Sequence, residues 1–464
     1  MKKKLTKEEI KRERSKKTRA RRMSIKEGIF ATVKSSLADH YISPFAIAIN
    51  SSNSIVAMLS AIAGLVGPAS QMFGSRLIEK YSRKKIILKT IFLESMMLIP
   101  FIIIAFLYRY KIFTSILPPI LLLTFAIYVI FLNLGSPAWF SWMGDITNDK
   151  HRGRYFAKRN LMAGFVSVIL AIGAAFFLDF LEARGKIMYG FIILFSIAII
   201  GRLISLKLFK KQYEPEIKLK KGDYFSLTDF LIKAPHNNFG RFTIFRALLG
   251  FASAIVSPLV AVYLLRELKF SYSIYMVIIF SATIFSLMLI KLWGKFADKY
   301  GNYKTIAIAS MFIPVIPLLW VLNKSPIYLI FVPSLVGGVS WAGFNLAAGN
   351  FIYDNVSKEK RGVAASYCNV LYGFGIFLGA SLGAFLIKIL TVTVVSPIII
   401  IFFISAIARM LVVFFSITKI EEVKKTSQFQ GHKALKNIIF KQAKPTLLEG
   451  AHEIMSIKKY ILEK

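Results

Sequence analysis

Long apolar runs broken by short knots of charge set the pattern of this chain. "IILKTIFLESMMLIPFIIIAFLY" and "SPIIIIFFISAIARMLVVFFSI" are typical of the runs. A bilayer core about 30 Å thick is crossed by about 20 apolar residues in a helix. Transmembrane strands instead alternate apolar and polar positions over about ten residues, and these runs do not alternate. With a window of about 19 residues, the pattern predicts about twelve membrane-spanning helices. Their approximate ranges are 28–50, 54–79, 86–108, 113–142, 156–180, 187–209, 240–266, 272–297, 304–322, 326–352, 363–390 and 394–417. Lys34, Asp39 and His40 interrupt the first of them.

Composition agrees with this pattern. Of 464 residues, 56% are hydrophobic and only 18% are charged, against about 25% charged in soluble proteins. The net charge of +37 would suit a nucleic-acid partner, but its distribution argues against one. Lys and Arg gather at 1–27, 80–85, 150–159, 207–233, 298–304, 358–361 and from 419 onward. Those segments hold roughly 45 of the basic residues and the opposite loops roughly eight, so both termini are expected on the cytoplasmic side of the cell membrane. The segment "MKKKLTKEEIKRERSKKTRARR" reads as a disordered stretch drawn to anionic lipid at about 1 kcal/mol per basic residue. It lacks the small-residue cleavage site of a signal peptide. Cys368 stands alone, which excludes an intramolecular disulfide and a cysteine metal cluster. No metal or cofactor is expected.

The chain also repeats itself. "GDITNDKHRGRYFAKRN" aligns with "YDNVSKEKRGVAASYCN", setting Asp145, Arg152, Gly153 and Asn160 against Asp354, Arg361, Gly362 and Asn369. "SPFAIAI" in span one answers "SPLVAVY" in span seven, and Arg202 in span six answers Arg409 in span twelve. "WGKFADKYGNYK" has a worn counterpart in "SRLIEKYSRKK", with Glu79 standing where Asp298 stands. The expected organisation is a basic segment 1–27, a six-helix bundle 28–209, a central linker 210–239, a second bundle 240–418 and a tail 419–464. The linker's "YFSLTDFLIKA" is expected to form a short surface helix, and "KPTLLEGAHEIMSIKKYILEK" in the tail an amphipathic one.

These residues resemble the major facilitator superfamily. Its loop signature, G-x-L-A-D-R-x-G-R-R/K, is matched in "GKFADKYGNYK" by Gly294, Phe296, Ala297, Asp298, Lys299 and Gly301. The first-half loop keeps Leu77, Glu79, Lys80, Arg83 and Lys84 but has Ser75 and Ser82 for the glycines. The resemblance covers about residues 28–418. It implies an all-α polytopic fold of 12 transmembrane helices in two pseudo-symmetric six-helix bundles, acting as a monomer. It also implies that Glu79 and Asp298 face a helix N-terminus in the opposite half when the cytoplasmic side is shut, and that Arg83 pairs with Asp145. Asn302 replaces the second arginine, which leaves the equivalent link to Asp354 in doubt. Glu79, Arg83, Asp145, Arg152, Gly294, Asp298, Gly301, Asp354 and Arg361 are thus the expected gating residues.

In that family a central cavity lies between the halves, lined by spans one, four, seven and ten. An ionisable residue within a span costs about 2.5–3.5 kcal/mol on insertion scales and faces the interior by default. On a continuous helix Ser36, Asp39, Ser43 and Asn50 would share one face. Asp39 then reads as a substrate or proton site, or as a structural partner of Lys34 or His40. Thr243, Arg246, Gly250, Ser253 and Ser257 repeat that pattern. Arg246 attracts an anionic group, partners Asp39, or snorkels to the cytoplasmic interface. Trp341 and Asn345 offer an aromatic wall with an amide, or plain packing. Asn133 and Trp139 are weaker candidates. Glu94 in span three is a proton site or a structural partner. Gly375, Gly379 and Gly383 suit close helix packing.

Span four carries no arginine and span five no proline, which departs from drug–proton antiporters of the family. No sugar-porter signature and no phosphate-binding P-loop is present, and no nucleophile–base set points to an enzyme. The reading is a secondary transporter of a small-molecule substrate, coupled to a proton or sodium gradient. The alternative is a non-transporting sensor or scaffold on the same fold.

Overall fold

The structure is a computed structural model that describes residues 7–147, 152–215, 226–357, 360–390 and 395–423. The tail helix expected beyond residue 445 lies outside the described residues. Every element among the described residues is helical. Helix α1 spans Lys7–Leu37. Among the described residues, eleven further helices are long and apolar enough to cross a membrane: α2 (Asn53–Lys80), α3 (Arg83–Arg109), α4 (Leu117–Ile146), α5 (Lys158–Glu182), α6 (Ile187–Lys210), α7 (Asn238–Glu267), α8 (Tyr272–Tyr300), α9 (Asn302–Leu322), α10 (Pro326–Asn355), α11 (Val363–Ile389) and α12 (Pro397–Lys419). Phe73, Leu123, Phe140, Phe176, Phe331 and Phe414 are exposed on them. Water would penalise such faces, whereas lipid accepts them. This is a multi-pass membrane protein.

The first span departs from the sequence expectation in two ways. Its basic leader is an ordered helix from Lys7 onward, continuous with the span. Good helix formers fill it, Glu13 and Lys17 pair one turn apart at 3.0 Å, and Arg21 donates to the last carbonyl of α4, Ile146, at 3.3 Å. Ala20 and Ser24 are buried. The second departure is a break. The α-helix ends at Leu37, a 3₁₀ turn covers Asp39–Tyr41, and a short helix resumes at Ile42–Ala48. Pro44 has no N–H for the carbonyl four residues back, and its ring crowds that carbonyl. Asn50 then turns out, exposed, at φ 56°. The proposed stripe Ser36–Asp39–Ser43–Asn50 therefore does not persist as one helical face. Pro258 has the same effect in span seven, where a 3₁₀ turn covers Ser257–Leu259.

The chain divides into two compact units, Met1–Lys221 with Ser271–Ser273, and Gly222–Phe270 with Ile274–Lys464. In the first, α1 packs on α5 and α6, and α3 packs on α6. In the second, α7 packs on α11 and α12, and α9 packs on α12. The same helix pairs thus close both units. The linker contributes a short helix, Leu227–Lys233, capped by the Ser226 hydroxyl. Its Phe230 is buried in the second unit beside Phe239 and Tyr367.

Glycine sets the tightest seam. A Cβ at Gly375, Gly379 or Gly383 of α11 would sit 2.2, 2.0 or 2.1 Å from the carbonyl oxygens of Ala247, Phe251 and Ile255 on α7. These atoms are backbone and cannot step aside. Gly379→Ala should therefore lower stability by about 1–3 kcal/mol through forced separation of the two helices. Gly349→Ala on α10, where nothing lies within 4 Å, should be neutral or slightly stabilising. Thermal unfolding of the two purified variants tests this, and equal melting temperatures would contradict the packing role.

Candidate functional site

The break in the first span turns Asp39 back toward its own helix. Lys34 Nζ lies 3.0 Å from Asp39 and 2.6 Å from Glu94, and donates to the Tyr128 hydroxyl at 2.8 Å. Tyr128 in turn donates to Asp39. The contact to Glu94 Oε1 is an ion pair in position but not a directional hydrogen bond. On its other oxygen Glu94 accepts from Arg202 at 2.7 and 3.1 Å. Beyond Arg202 lies Glu27, 3.9 Å away. Glu27 accepts from Ser205 at 2.8 Å and from Arg159 at 3.3 Å. Arg159 rests over the Trp139 ring at 4.9 Å.

The result is a continuous chain of charge from α1 through α3, α5 and α6, with Tyr128 from α4. Lys34, Arg159 and Arg202 balance Asp39, Glu27 and Glu94. Neutrality is what membrane depth demands, because an unmatched buried charge costs several kcal/mol. Glu27, Lys34 and Glu94 are almost fully buried. Asp39 keeps 28% of its side chain accessible, so the chain of charge has one open end. At the other end, around Arg202 and Glu27, lies a cavity of about 250 Å³ lined by Glu27, Glu94, Arg159, Arg202, Trp139 and Thr90 among others.

The other cavity candidates scatter. Asn133 accepts from Gln71 at 3.0 Å and donates to Val129 O, which ties α2 to α4. Ser43 is half-buried. In the second unit Trp341, partly buried, packs edge-on against Phe344 at the margin of the core, and Asn345 is exposed. Arg246 donates to Cys368 and Asn369 at 3.2 Å each.

The gating residues fall into two matched anchors, one per unit. Arg83, fully buried, donates to Asp145 at 2.5 Å, Ser141 at 3.0 Å and the Pro215 carbonyl at 2.8 Å. Asn302 makes the corresponding link with its amide, donating to Asp354 at 2.6 Å. A short neutral donor thus replaces the arginine, and the doubtful link is present. Both anchors carry an acid that the sequence reading passes over. Glu214 accepts from the Lys84 N–H at the start of α3, and Glu422 from the Tyr303 N–H at the start of α9. Carboxylates there meet free N–H groups and the positive helix end. Gly301 precedes α9 at φ 99°, a conformation that favours glycine. Arg361 donates to the Tyr353 and Val356 carbonyls at the end of α10. Gly294 has open space around it. Arg152 opens the helix that continues into α5. Glu79 and Asp298 are exposed and make no ion pair or hydrogen bond among the described residues.

Ionisable groups buried among the helices of a multi-pass protein mark a candidate functional site at membrane depth. The chain matches the Major Facilitator Superfamily over residues 28–241 and again over 242–452, and it belongs to that family. A search of curated proteins found no sequence match. Among solved structures it is similar to a bacterial homologue of the iron transporter ferroportin in the inward-facing state, at TM-score 0.66 and 13% identity over 87% of this chain and 98% of that one. It is similar to the nucleoside transporter NupG at 0.62 and 16%, over 86% and 98%. It is also similar to a D-xylose–proton symporter at 0.63 and 14%, over 89% and 99%. Among the described residues no group of His, Cys, Asp or Glu is placed to hold a metal ion.

The network makes a thermodynamic prediction. Glu94→Gln leaves Lys34 and Arg202 facing a neutral amide and should cost about 3–5 kcal/mol. Arg202→Gln should be comparably harmful. The double variant restores neutrality, so it should be more stable than the two losses summed, by about 0.5–3 kcal/mol. Chemical or thermal unfolding of the three variants measures this coupling, and strict additivity would show that the charges do not act as one network.

Proposed function

We propose that this chain is a secondary active transporter that moves a small solute by rocking its two halves around a midplane site, driven by the proton gradient. In this reading it acts as a monomer, has twelve spans and both termini in the cytoplasm, and the anchors at Arg83 and Asn302 brace the cytoplasmic ends. Glu79 and Asp298 then dock on the opposite half when that side shuts.

The observation that carries the proton assignment is the charge chain ending at a partly exposed Asp39. Sodium requires several oxygen ligands around one point, as hard cations do. Here every carboxylate lies beside Lys34, Arg159 or Arg202, whose charge repels a second cation. A proton needs only the carboxylate. Protonating Asp39 removes one of the two anions on Lys34, which then rests wholly on Glu94. Glu94 loosens its hold on Arg202, and Arg202 moves toward Glu27 and the cavity. A proton at the open end thereby alters the pairing at the closed end. A similar solved structure is by name a proton symporter, which is compatible with this reading.

The test uses liposomes carrying the protein and a trapped pH-sensitive dye, challenged with a panel of small metabolites. At least one solute should produce a proton flux that responds to an imposed pH gradient. Asp39→Asn should reduce that flux at least tenfold, the order expected for loss of an essential proton carrier. A solute flux that follows a sodium gradient, or proton flux unchanged in Asp39→Asn, would overturn the assignment.

A further inference from the structure

The second unit resolves its buried charge differently. Arg409 on α12, the repeat counterpart of Arg202, has no acid across from it among the described residues. It is almost fully buried and donates to the backbone carbonyls of Ile313 and Ser253. The described carboxylates of α7–α12 are Glu267, Asp298 and Asp354, all at helix ends. Glu267 accepts from Ser396, and Asp354 from Asn302. Arg246, Lys291 and Arg409 thus lie within the spans of this unit, with no described carboxylate away from the helix ends.

Arg409 is sealed, whereas Arg246 on α7 is only partly buried. Its Nη1 donates only to the thiol of Cys368 and the amide oxygen of Asn369. The Tyr372 ring lies 4.5 Å from Cζ, and Nε is buried without an acceptor. A guanidinium presents five N–H donors in a fixed fork. Weak neutral acceptors take up a small part of that capacity, and no described carboxylate takes up the rest. Along the same helical face, two turns further, the buried hydroxyl of Ser253 also has no partner. Between them Gly250 lets the Tyr372 ring press in, and a Cβ there would sit 2.7 Å from it. Cation, aromatic face and hydroxyl therefore line up over roughly 10 Å, at 1.5 Å per residue.

Building on the transporter reading, we propose that Arg246 holds an oxyanion of the solute, a carboxylate or a phosphate, which supplies the counter-charge that no described carboxylate gives it. The guanidinium fork takes two oxygens of the anion. The Tyr372 ring borders the body of the molecule, and Ser253 meets a polar group at its far end. The substrate class is thus a small organic anion, about as long as the stripe. A neutral sugar would leave the fork unpaired.

The test is thermal stabilisation of the full chain in nanodiscs of phosphatidylcholine alone, so that no anionic lipid competes. Matched probes are benzoate and benzamide, succinate and succinamide, glucose 6-phosphate and glucose, and inorganic phosphate. The proposal expects one or more anions to raise the melting temperature while their neutral partners do not. The carboxylate and phosphate arms identify which oxyanion is preferred. Arg246→Gln should weaken that binding at least tenfold, as loss of a charge-assisted contact does. Arg246→Lys, which keeps the charge without the fork, should fall between and reports on binding should the glutamine variant fail to fold. Neutral probes that stabilise as well as anions would overturn it. So would no stabilisation by any anion, or equal anion binding in both variants. No pH gradient is present, so failure of proton coupling leaves this result untouched.

Discussion

Glu94 sits between two cations at membrane depth, and much of the first unit is arranged around that fact. A carboxylate in a low-dielectric interior is tolerable only when paired and hydrogen-bonded. Lys34 from α1 and Arg202 from α6 meet that need, which fixes the rotation of both helices toward α3. Lys34 then requires Asp39, and Arg202 requires Glu27. The break at Ala38 brings Asp39 within reach of Lys34, which a straight helix would not do as closely. Helix packing, the interrupted first span and the polar cavity thus share one electrostatic cause.

The two units share a packing plan but not a charge plan. Both are anchored at the start of their third helix, by Arg83 to Asp145 and by Asn302 to Asp354, and both place a glutamate on that helix's first N–H groups. Inside, however, the first unit balances each cation with an acid, whereas the second holds Arg409 on carbonyls and leaves Arg246 to neutral neighbours. Such asymmetry suits a division of labour in which one unit handles the coupling proton and the other the solute.

Much of the architecture was legible in the sequence, because a membrane span is a long local signal and the repeated landmarks line up two halves. The pairing of Arg83 with Asp145 also followed, from a resemblance between short motifs. The charge chain did not. Its members come from α1, α3, α5 and α6, and nothing local in "IILKTIFLES" says which cation Glu94 will meet. Glu27 reads as the end of a basic segment, although it lies seven residues before Lys34, two turns along the same helix. Asp39 was visible as an anomaly, but the face assigned to it assumed a straight helix. Pro44 was the signal for the break, since its missing N–H must be accommodated a turn earlier. Asn302 illustrates a different limit: a substitution that removes charge still keeps the hydrogen bond.

In the proposed cycle a proton resides on Asp39 in one stage and leaves it in another. Infrared difference spectroscopy of the membrane-embedded protein, comparing solute-free with solute-bound states, reads carboxyl protonation directly. A protonated-carboxyl band should appear or vanish with solute and be missing in Asp39→Asn. A difference spectrum with no carboxyl band, or one that survives Asp39→Asn unchanged, would contradict it.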